Sequence, residues 1–299
     1  MRNIKLTIEY DGSRYQGWAR LGKNESNNSI SNKIIEVLEK MTGEKDMELF
    51  CGCRTEVGVH AYAQIVNFKT VCPLKCLDIK HYLNRYLPMD IAVTDVREMP
   101  ERFHAQLNAA SKTYIYRMTV CEVPSVFDRK YTYHCFKTPD IKLMQQAAQS
   151  LIGKHDFKNF STAKKSKSTV RNITDIEIYG DSEEIQITIQ ADDFLHNMAR
   201  LIIGTLLDIG LGNRKKEDID KIFVGKAAVS EPCDPKDCFC RKSHTNFYHF
   251  KAQKGTSFDV PLTFQLNWVS SVFCVCNFCI HFSFLSFSVF EEVHSNLWE

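Results

Sequence analysis

The order of strand and helix patterns constrains the fold of this chain more than any other feature. Residues 4–10 alternate apolar and polar side chains as a strand does, and Asp11-Gly12 ends the pattern with a turn signal. A helix with an apolar stripe follows, which Ser29 can cap and Gly43 can end. Two strands, a second helix and a last strand are then predicted at 46–53, 62–68, 77–87 and 91–96. The resulting order, β-α-β-β-α-β, is that of ferredoxin-like domains.

A similar order begins again near residue 111. A strand, a helix, a hairpin and two more helices are predicted at 111–121, 139–151, 173–190, 194–209 and 216–223, with a strand-like run at 130–136. We therefore predict an α+β protein of two tandem ferredoxin-like halves, residues 1–105 and 106–236. Their strands would form a broad antiparallel sheet with helices on one face and a cleft on the other. An α+β protein without internal symmetry is the alternative.

The C-terminal tail, residues 237–299, does not continue this order. A closing strand should follow Pro232, but the sequence from Asp237 onward shows no clear periodicity. Residues 266–290 contain no acidic or basic side chain, which permits a transmembrane helix by length, although polar residues interrupt the segment. A metal site without paired C-x2-C spacing is another alternative, formed by Cys233, Cys238, Cys240, His244, Cys274, Cys276 and Cys279. We favour the interpretation that the tail is a frameshifted terminus outside the fold.

Composition and charge place few limits on function. Hydrophobic residues make up 44% of the chain and charged residues 25%, as in an ordinary globular protein. The net charge of +2 neither supports nor excludes a nucleic-acid partner, so that question depends on local clusters. No secretory pattern opens the chain, so we expect a cytoplasmic protein whose first six cysteines are reduced core residues.

The segment most suggestive of chemistry is a loop between two predicted strands. It reads Gly52-Cys53-Arg54-Thr55-Glu56-Val57-Gly58-Val59-His60-Ala61 and is called the signature loop below. Loops held by a rigid sheet commonly carry reactive groups. Gly58 permits a tight bend that would fix Glu56, and Arg54 could pair with the Glu56 carboxylate and keep it ionised. An ordinary turn with a surface ion pair is the alternative, and spacing alone favours it.

Several motifs together resemble those of TruA-type tRNA pseudouridine synthases. The signature loop is similar to the family's RTD-x-GVHA. The other similar segments are Tyr10-Asp11-Gly12 with Tyr15-Gln16-Gly17-Trp18, Phe103-His104-Ala105, Lys112-Thr113-Tyr114-Ile115-Tyr116, Asp156-Phe157 with Phe160, Arg171-Asn172-Ile173, and Phe194-Leu195-His196-Asn197-Met198-Ala199-Arg200. They occur in the family's order, and the family's fold of two ferredoxin-like halves around a cleft agrees with the pattern above.

The resemblance implies isomerisation of uridine to pseudouridine in the anticodon stem-loop of tRNA, by a homodimer and without a metal or organic cofactor. It gives Glu56 the place of the catalytic carboxylate, Tyr114 that of the active-site tyrosine, and Arg200 that of the carboxylate's partner. The carboxylate would attack the nucleoside or stabilise developing charge, while the tyrosine would stack on a flipped base and transfer a proton. Arg54 completes the predicted catalytic set. Without the resemblance, a core tyrosine and a solvent-facing arginine are the alternatives.

A basic loop provides the local signal for RNA. Its cations surround Phe157 and Phe160, with only Asp156 opposing them; they are Lys154, Lys158, Lys164, Lys165, Lys167 and Arg171. Cations near aromatic side chains suit phosphate contacts at the mouth of a cleft. We predict that these cations and Phe157 bind RNA, and a solvated lysine loop is the alternative.

Glutamate at position 56 departs from the family's aspartate. The extra methylene moves the carboxylate by about 1 Å unless the loop adjusts, and a misplacement of that order can cost about a hundredfold in rate. An inactive or weakly active RNA-binding paralogue is therefore the alternative to an active isomerase. A membrane-tethered protein that uses the tail is a third hypothesis.

Overall fold

The computed structural model describes residues 1–19, 28–162 and 168–240, and the backbone of 244–245. The strands are β1 (Arg2–Tyr10), β2 (Leu49–Cys51), β3 (His60–Thr70), β4 (Ile91–Met99), β5 (Ala109–Thr119), β6 (Tyr133–His134), β7 (Gly153–Asp156), β8 (Val170–Gly180), β9 (Glu184–Ala191), β10 (Cys238–Cys240) and β11 (His244–Thr245). The helices are α1 (Ile30–Thr42), α2 (Cys76–Tyr86), α3 (Ile141–Ala148), α4 (Met198–Gly210) and α5 (Asp218–Phe223). Short 3₁₀ turns occur at Asp128–Lys130, Gln149–Leu151, Lys158–Phe160 and Pro235–Asp237.

The strands form one sheet in the order β4-β1-β3-β10-β5-β9-β8-β7. β2 lies beside β3, and β6 and β11 lie beside β5. Pairing is antiparallel except between β10 and β3 and between β5 and β6. The predicted α+β class, with a broad and mainly antiparallel sheet, is confirmed.

The first half is organised around β1, between β4 and β3. Its alternate side chains Ile4, Leu6 and Ile8 are fully buried, in the same core as the apolar residues of α1 and α2. The predicted ends of α1 are confirmed. The Ser29 hydroxyl accepts from a backbone N–H of the first turn, and Gly43 ends the helix with a φ of 75°.

The second half repeats this arrangement around β9, which lies between β5 and β8. Ile185, Ile187 and Ile189 are fully buried, in one core with α3 and α4. α4 is buried on almost every side. It begins at Met198 rather than at the predicted 194, because the preceding residue, Asn197, has a left-handed backbone that cannot continue a helix.

A closing strand is present where the sequence analysis found no convincing one. β10 joins the two halves, parallel to β3 and antiparallel to β5. Its three residues are too few to show a periodicity, and its inward positions carry cysteines instead of branched apolar residues. Cys238 and Cys240 are nevertheless buried in the common core. The first residues of the C-terminal tail therefore belong to the sheet.

The alternatives based on the rest of the tail lie mostly outside the described residues. This holds for the uncharged segment 266–290, for the side chain of His244, and for Cys274, Cys276 and Cys279. Cys233, Cys238 and Cys240 are free thiols, and no group of three potential metal ligands occurs in the described ranges. Within the same ranges, no helix has the length and apolar character needed to cross a membrane.

Candidate active site

The signature loop rests on the segment that follows β1. The hydroxyls of Thr55 and Tyr10 lie 2.7 Å apart, and the Thr55 carbonyl accepts from the Trp18 N–H at 3.0 Å. Gly17 has a φ of 82°, and a Cβ there would lie 2.8 Å from the same carbonyl. The segments Tyr10-Asp11-Gly12 and Tyr15-Gln16-Gly17-Trp18 therefore pack against the signature loop and hold Thr55, the residue before Glu56, in place.

His60, the histidine of the loop, anchors it on two sides. Its Nδ1 accepts from the Gly12 N–H at 3.0 Å, and its Nε2 lies 2.7 Å from the Lys236 carbonyl. Because Nδ1 accepts, the proton is assigned to Nε2, which donates to that carbonyl. Burial lowers the pKa of His60 against the opposing effect of Asp11, whose carboxylate lies 3.0 Å from Nδ1. The contact with Lys236 joins the loop to the start of the β10 segment.

The Glu56 carboxylate is held at both oxygens. Arg200 Nη1 donates to Oε2 at 2.9 Å, and the backbone N–H of Asn197 donates to Oε1 at 2.5 Å. Asn197 directly precedes α4, so the carboxylate lies at the N-terminal end of that helix, where the helix dipole favours negative charge. The ion pair is largely shielded, with exposed side-chain fractions of 21% for Glu56 and 15% for Arg200.

Arg200 is fixed by a segment that crosses α4. Its Nε donates to the Cys233 carbonyl at 2.7 Å, and the Arg200 carbonyl accepts from the Cys233 N–H at 3.2 Å. Gly204, one turn along the helix, permits this crossing, because a Cβ there would lie 2.2 Å from the Glu231 carbonyl oxygen. The guanidinium is therefore already oriented towards Glu56 in the free protein.

Tyr114 lies beside the ion pair on β5. It is 9% exposed, its ring meets Phe194 edge-on with centroids 5.0 Å apart, and its hydroxyl lies 3.1 Å from the Cys53 sulfur. Burial, reinforced by Cys53, raises the pKa of Tyr114 well above its usual value, so the hydroxyl stays protonated. A hydrogen bond with Cys240 and the nearby Lys112 ammonium lower the pKa of Cys53 against the effect of burial.

Two cavities meet at the Glu56–Arg200 pair. A small pocket of about 20 Å³ is lined by Tyr114 and Phe194. A wider cavity of about 610 Å³ opens beside it and is lined by Arg54, His196 and Pro235 among others. Both cavities are bordered by Glu56, Asn197 and Arg200. The carboxylate therefore lies between a wide cavity and a small pocket.

The structure brings together three of the four predicted catalytic residues, Glu56, Tyr114 and Arg200. Arg54 is exposed and lines the wide cavity, and the ion pair of Glu56 is formed with Arg200 instead of Arg54. The expectation that Arg54 pairs with Glu56 is therefore corrected. Arg200, on α4, forms the ion pair with the Glu56 carboxylate.

The predicted RNA-binding residues divide into four groups. Lys154 and Lys158 are exposed, as phosphate contacts require, whereas the partly buried Arg171 donates to the carbonyls of Ser168 and Val170. Phe157 is 0% exposed and packs against two other phenylalanines, so it is a core residue and cannot stack on a base. Lys164, Lys165 and Lys167 lie outside the described residues.

Tyr114 lies on the helix-bearing face of the sheet. Its register partners are Ile189 and Cys240, and all three belong to the core shared with the helices. The sequence predicts a cleft on the opposite face. A cavity of about 450 Å³ does lie there, lined by His60, Arg117 and Phe239 among others. The ion pair, however, lies with Tyr114, where the signature loop meets the start of α4.

Two residues of the site carry no role in the sequence analysis. Asn197 contributes its backbone N–H and its side chain, and an asparagine directly before an apolar helix is a recognisable start signal. Cys53 belongs to the signature loop, but no pattern in the sequence indicates its contact with the Tyr114 hydroxyl.

Comparison with known proteins shows which family this chain is similar to. A family model described as tRNA pseudouridine synthase matches residues 147–236. A tRNA pseudouridine synthase A 2 of Bacillus cereus is 44% identical over 227 residues, which cover 76% of this chain and 91% of that protein. A protein of the same name from Clostridium perfringens is 43% identical over 242 residues, which cover 80% of this chain and 98% of that protein.

Among solved structures, a Cbf5-Nop10-Gar1 complex has a TM-score of 0.34 and 12% identity, over 79% of this chain and 48% of that one. The sequence relatives are far closer and carry the assignment. Identity of that extent over nearly the whole of both relatives shows that the chain belongs to the tRNA pseudouridine synthase A family.

Proposed function

We propose that this chain isomerises uridine to pseudouridine in tRNA and that its target uridines lie in the anticodon stem-loop. Pseudouridine synthesis in tRNA follows from the family to which the chain belongs. The anticodon stem-loop is the finer part of the proposal and rests on the motif resemblance. The observation that carries the proposal is the Glu56 carboxylate, held by Arg200 and the start of α4 beside Tyr114.

The reaction exchanges one bond to the ribose for another. The bond between uracil N1 and ribose C1′ breaks, the uracil turns, and its C5 bonds to C1′. The proton on C5 is lost and N1 gains one, so the net change is an isomerisation. Glu56 would form a transient bond to the sugar or stabilise the positive charge that develops there. Both roles need a carboxylate held in a fixed position, which the Arg200 guanidinium and the Asn197 N–H provide.

Tyr114 would act on the extruded base. Its protonated hydroxyl can donate a hydrogen bond or pass a proton, and its ring offers a surface beside the carboxylate. The small pocket of about 20 Å³ cannot hold a uracil ring, so the base would enter from the wide cavity and displace Tyr114 or Phe194. Base extrusion and a side-chain movement are thus expected to accompany each turnover.

The RNA would reach this entrance along a basic margin. Arg54 lines the wide cavity, and Lys154 and Lys158 are exposed. Together with Lys164, Lys165, Lys167 and Arg171 they supply positive charge for the phosphate backbone. We retain these residues as proposed RNA contacts and omit Phe157, because a fully buried ring cannot meet RNA.

The rival hypothesis, a paralogue that binds RNA without turnover, arises from the glutamate at position 56. Against it stands the observation that the longer side chain still meets both of its partners, Asn197 and Arg200. An active enzyme is therefore the better-supported function.

Tritium release provides the test. Purified protein is incubated with tRNA whose uridines carry tritium on C5, because isomerisation exchanges that label into water. We expect release by the wild type, none by Glu56→Gln, and release from an isolated anticodon stem-loop hairpin but not from a T-arm hairpin. A wild type that releases no label while Glu56→Asp does would establish the rival. Release only from the T-arm hairpin would refute the proposed target.

The remaining expectations concern organisation. We propose a cytoplasmic homodimer with halves at 1–105 and 106–236 and a tail at 237–299, of which β10 contributes to the sheet. Light scattering on the purified protein would detect a monomer if the dimer is wrong. The intact mass of natively expressed protein tests the frameshift hypothesis, because a mass matching all 299 residues contradicts it.

A further inference from the structure

Asn197 has an unusual backbone conformation beside the active-site ion pair. Its φ and ψ are 60° and 1°, and Asp46 is the only other non-glycine residue with a positive φ in the described ranges. A Cβ makes this conformation unfavourable, although asparagine tolerates it better than most residues. Strained backbones of this kind are found preferentially at functional sites, where surrounding contacts maintain them.

The backbone of Asn197 contributes directly to the site. Its N–H donates to Glu56 Oε1 at 2.5 Å, whereas its side chain makes no hydrogen bond that would cap α4. The left-handed turn thus orients a helix-terminal N–H towards a carboxylate on another loop. The conformation of Asn197 therefore decides whether this second hold on Glu56 exists.

The side chain of Asn197 holds the other partner of the pair. Its Oδ1 accepts from Arg200 Nη1 at 2.8 Å, and the same nitrogen donates to Glu56 at 2.9 Å. The three residues form a closed ring of hydrogen bonds. This ring assigns the side-chain orientation, because Arg200 can only donate.

A further contact fixes the ring to the neighbouring loop. Asn197 Nδ2 donates to Thr162 Oγ1 at 2.8 Å, and that oxygen lies 2.6 Å from His196 Nδ1. Every polar atom of the Asn197 side chain is thus used. Such saturation is expected of a residue that positions others.

We infer that Asn197 is a positioning residue for the isomerisation, orienting the Glu56 carboxylate through its backbone and the Arg200 guanidinium through its side chain. This two-point hold allows a glutamate to serve where the family has an aspartate, because the longer side chain reaches the N–H at the start of α4. The inference rests on the proposed function. Asn197 itself need not touch the substrate.

Two substitutions separate the backbone contribution from that of the side chain. Asn197→Gly keeps the left-handed turn and its N–H but removes the side chain, so the single-turnover rate of tritium release should fall about tenfold. Asn197→Ala also disfavours the turn, so the rate should fall about a hundredfold. The Kd for tRNA, measured by filter binding, should change by less than about twofold in both variants, because binding relies on phosphate contacts elsewhere.

A matched control and a second background distinguish positioning from folding. Asp46→Gly removes an exposed side chain from the other left-handed position and should leave the rate unchanged. In the Glu56→Asp enzyme, whose shorter side chain ends farther from the N–H, the rates of Asn197→Gly and Asn197→Ala should differ by less than about threefold. A residue with only a structural role would instead give the same ratio in both backgrounds.

The results distinguish a failure of the positioning role of Asn197 from a failure of the proposed function. Wild-type rates in both Asn197 variants would overturn the inference and leave the proposed function intact. Equal losses in the Gly and Ala variants would overturn the backbone role. Absence of release from the wild type would refute the proposed function, and with it the reaction that Asn197 serves.

Discussion

A buried carboxyl group at the start of β10 is expected to make the stability of the protein depend on pH. Asp237 is 0% exposed, its Oδ1 has no hydrogen-bond partner in the described structure, and its Oδ2 accepts only a long bond of 3.4 Å from Tyr116. Burial, with a smaller contribution from Asp234, raises the pKa of Asp237 from 3.8 to about 7, against the opposing effect of Lys236. The charged form of Asp237 is therefore disfavoured in the folded protein.

The sign and size of the effect follow from the two pKa values. Below pH 3.8 the group is protonated in both states and contributes nothing. Between that value and about pH 7, the folded protein keeps a proton that the unfolded chain has lost, so the free energy of unfolding falls as pH rises. Three pKa units at about 1.4 kcal/mol each give a loss on the order of 4 kcal/mol, complete above the folded pKa.

Asp237→Asn removes the titration and keeps an oxygen that accepts from Tyr116. Denaturant unfolding of both proteins from about pH 4 to about pH 8 gives a difference in which the other titrating groups cancel. We expect near-equal stability at the acidic end and a variant more stable by up to about 4 kcal/mol at the alkaline end. A difference that stays constant across this range, or a wild type favoured by alkaline pH, would refute the reasoning.

Three further substitutions probe the site and the RNA surface. Gly204→Ala places a Cβ against the backbone that crosses α4, so calorimetry should show a loss of about 1–3 kcal/mol in stability and the rate should fall as well. Arg200→Lys replaces the separate donors Nε and Nη1 by a single nitrogen that cannot occupy both positions, so the rate of tritium release should fall about a hundredfold; a rate near the wild type would contradict the pre-oriented pair. The double variant Lys154→Ala/Lys158→Ala should reduce the slope of log affinity for tRNA against log salt by about one to two units, whereas Lys45→Ala should not.

Much of the site was predictable, because it depends on side chains in distinctive motifs. Glu56, Tyr114 and Arg200 come from three distant segments, and in the sequence only the motif resemblance groups them. Phe157 was misassigned, because a phenylalanine among lysines has the same pattern in a surface loop and above a core. Only its packing against Phe160 and Phe223 distinguishes the two cases.

The parts that could not be predicted depend on the backbone or on very short elements. The contact between Asn197 and Glu56 uses an N–H that every residue except proline carries, so no residue type indicates it. β10 has three residues, and its inward cysteines give a weaker apolar signal than the isoleucines of β9. Tyr114 lies on the face of the sheet that carries the helices because of the strand register. A shift of the register by one residue would place it on the other face, and the alternation in the sequence does not say which face carries the helices.

The position of β10 also has a consequence for synthesis on the ribosome. The strand that joins β3 to β5 is among the last parts of the described chain to emerge, although both of its neighbours are made much earlier. Until residue 240 has left the exit tunnel, each half presents an open strand edge, and the ion pair that links the halves lacks its surrounding frame. A nascent chain that stalls before this point would hold every motif of the enzyme while the pairing that β10 makes with β3 and β5 is still missing.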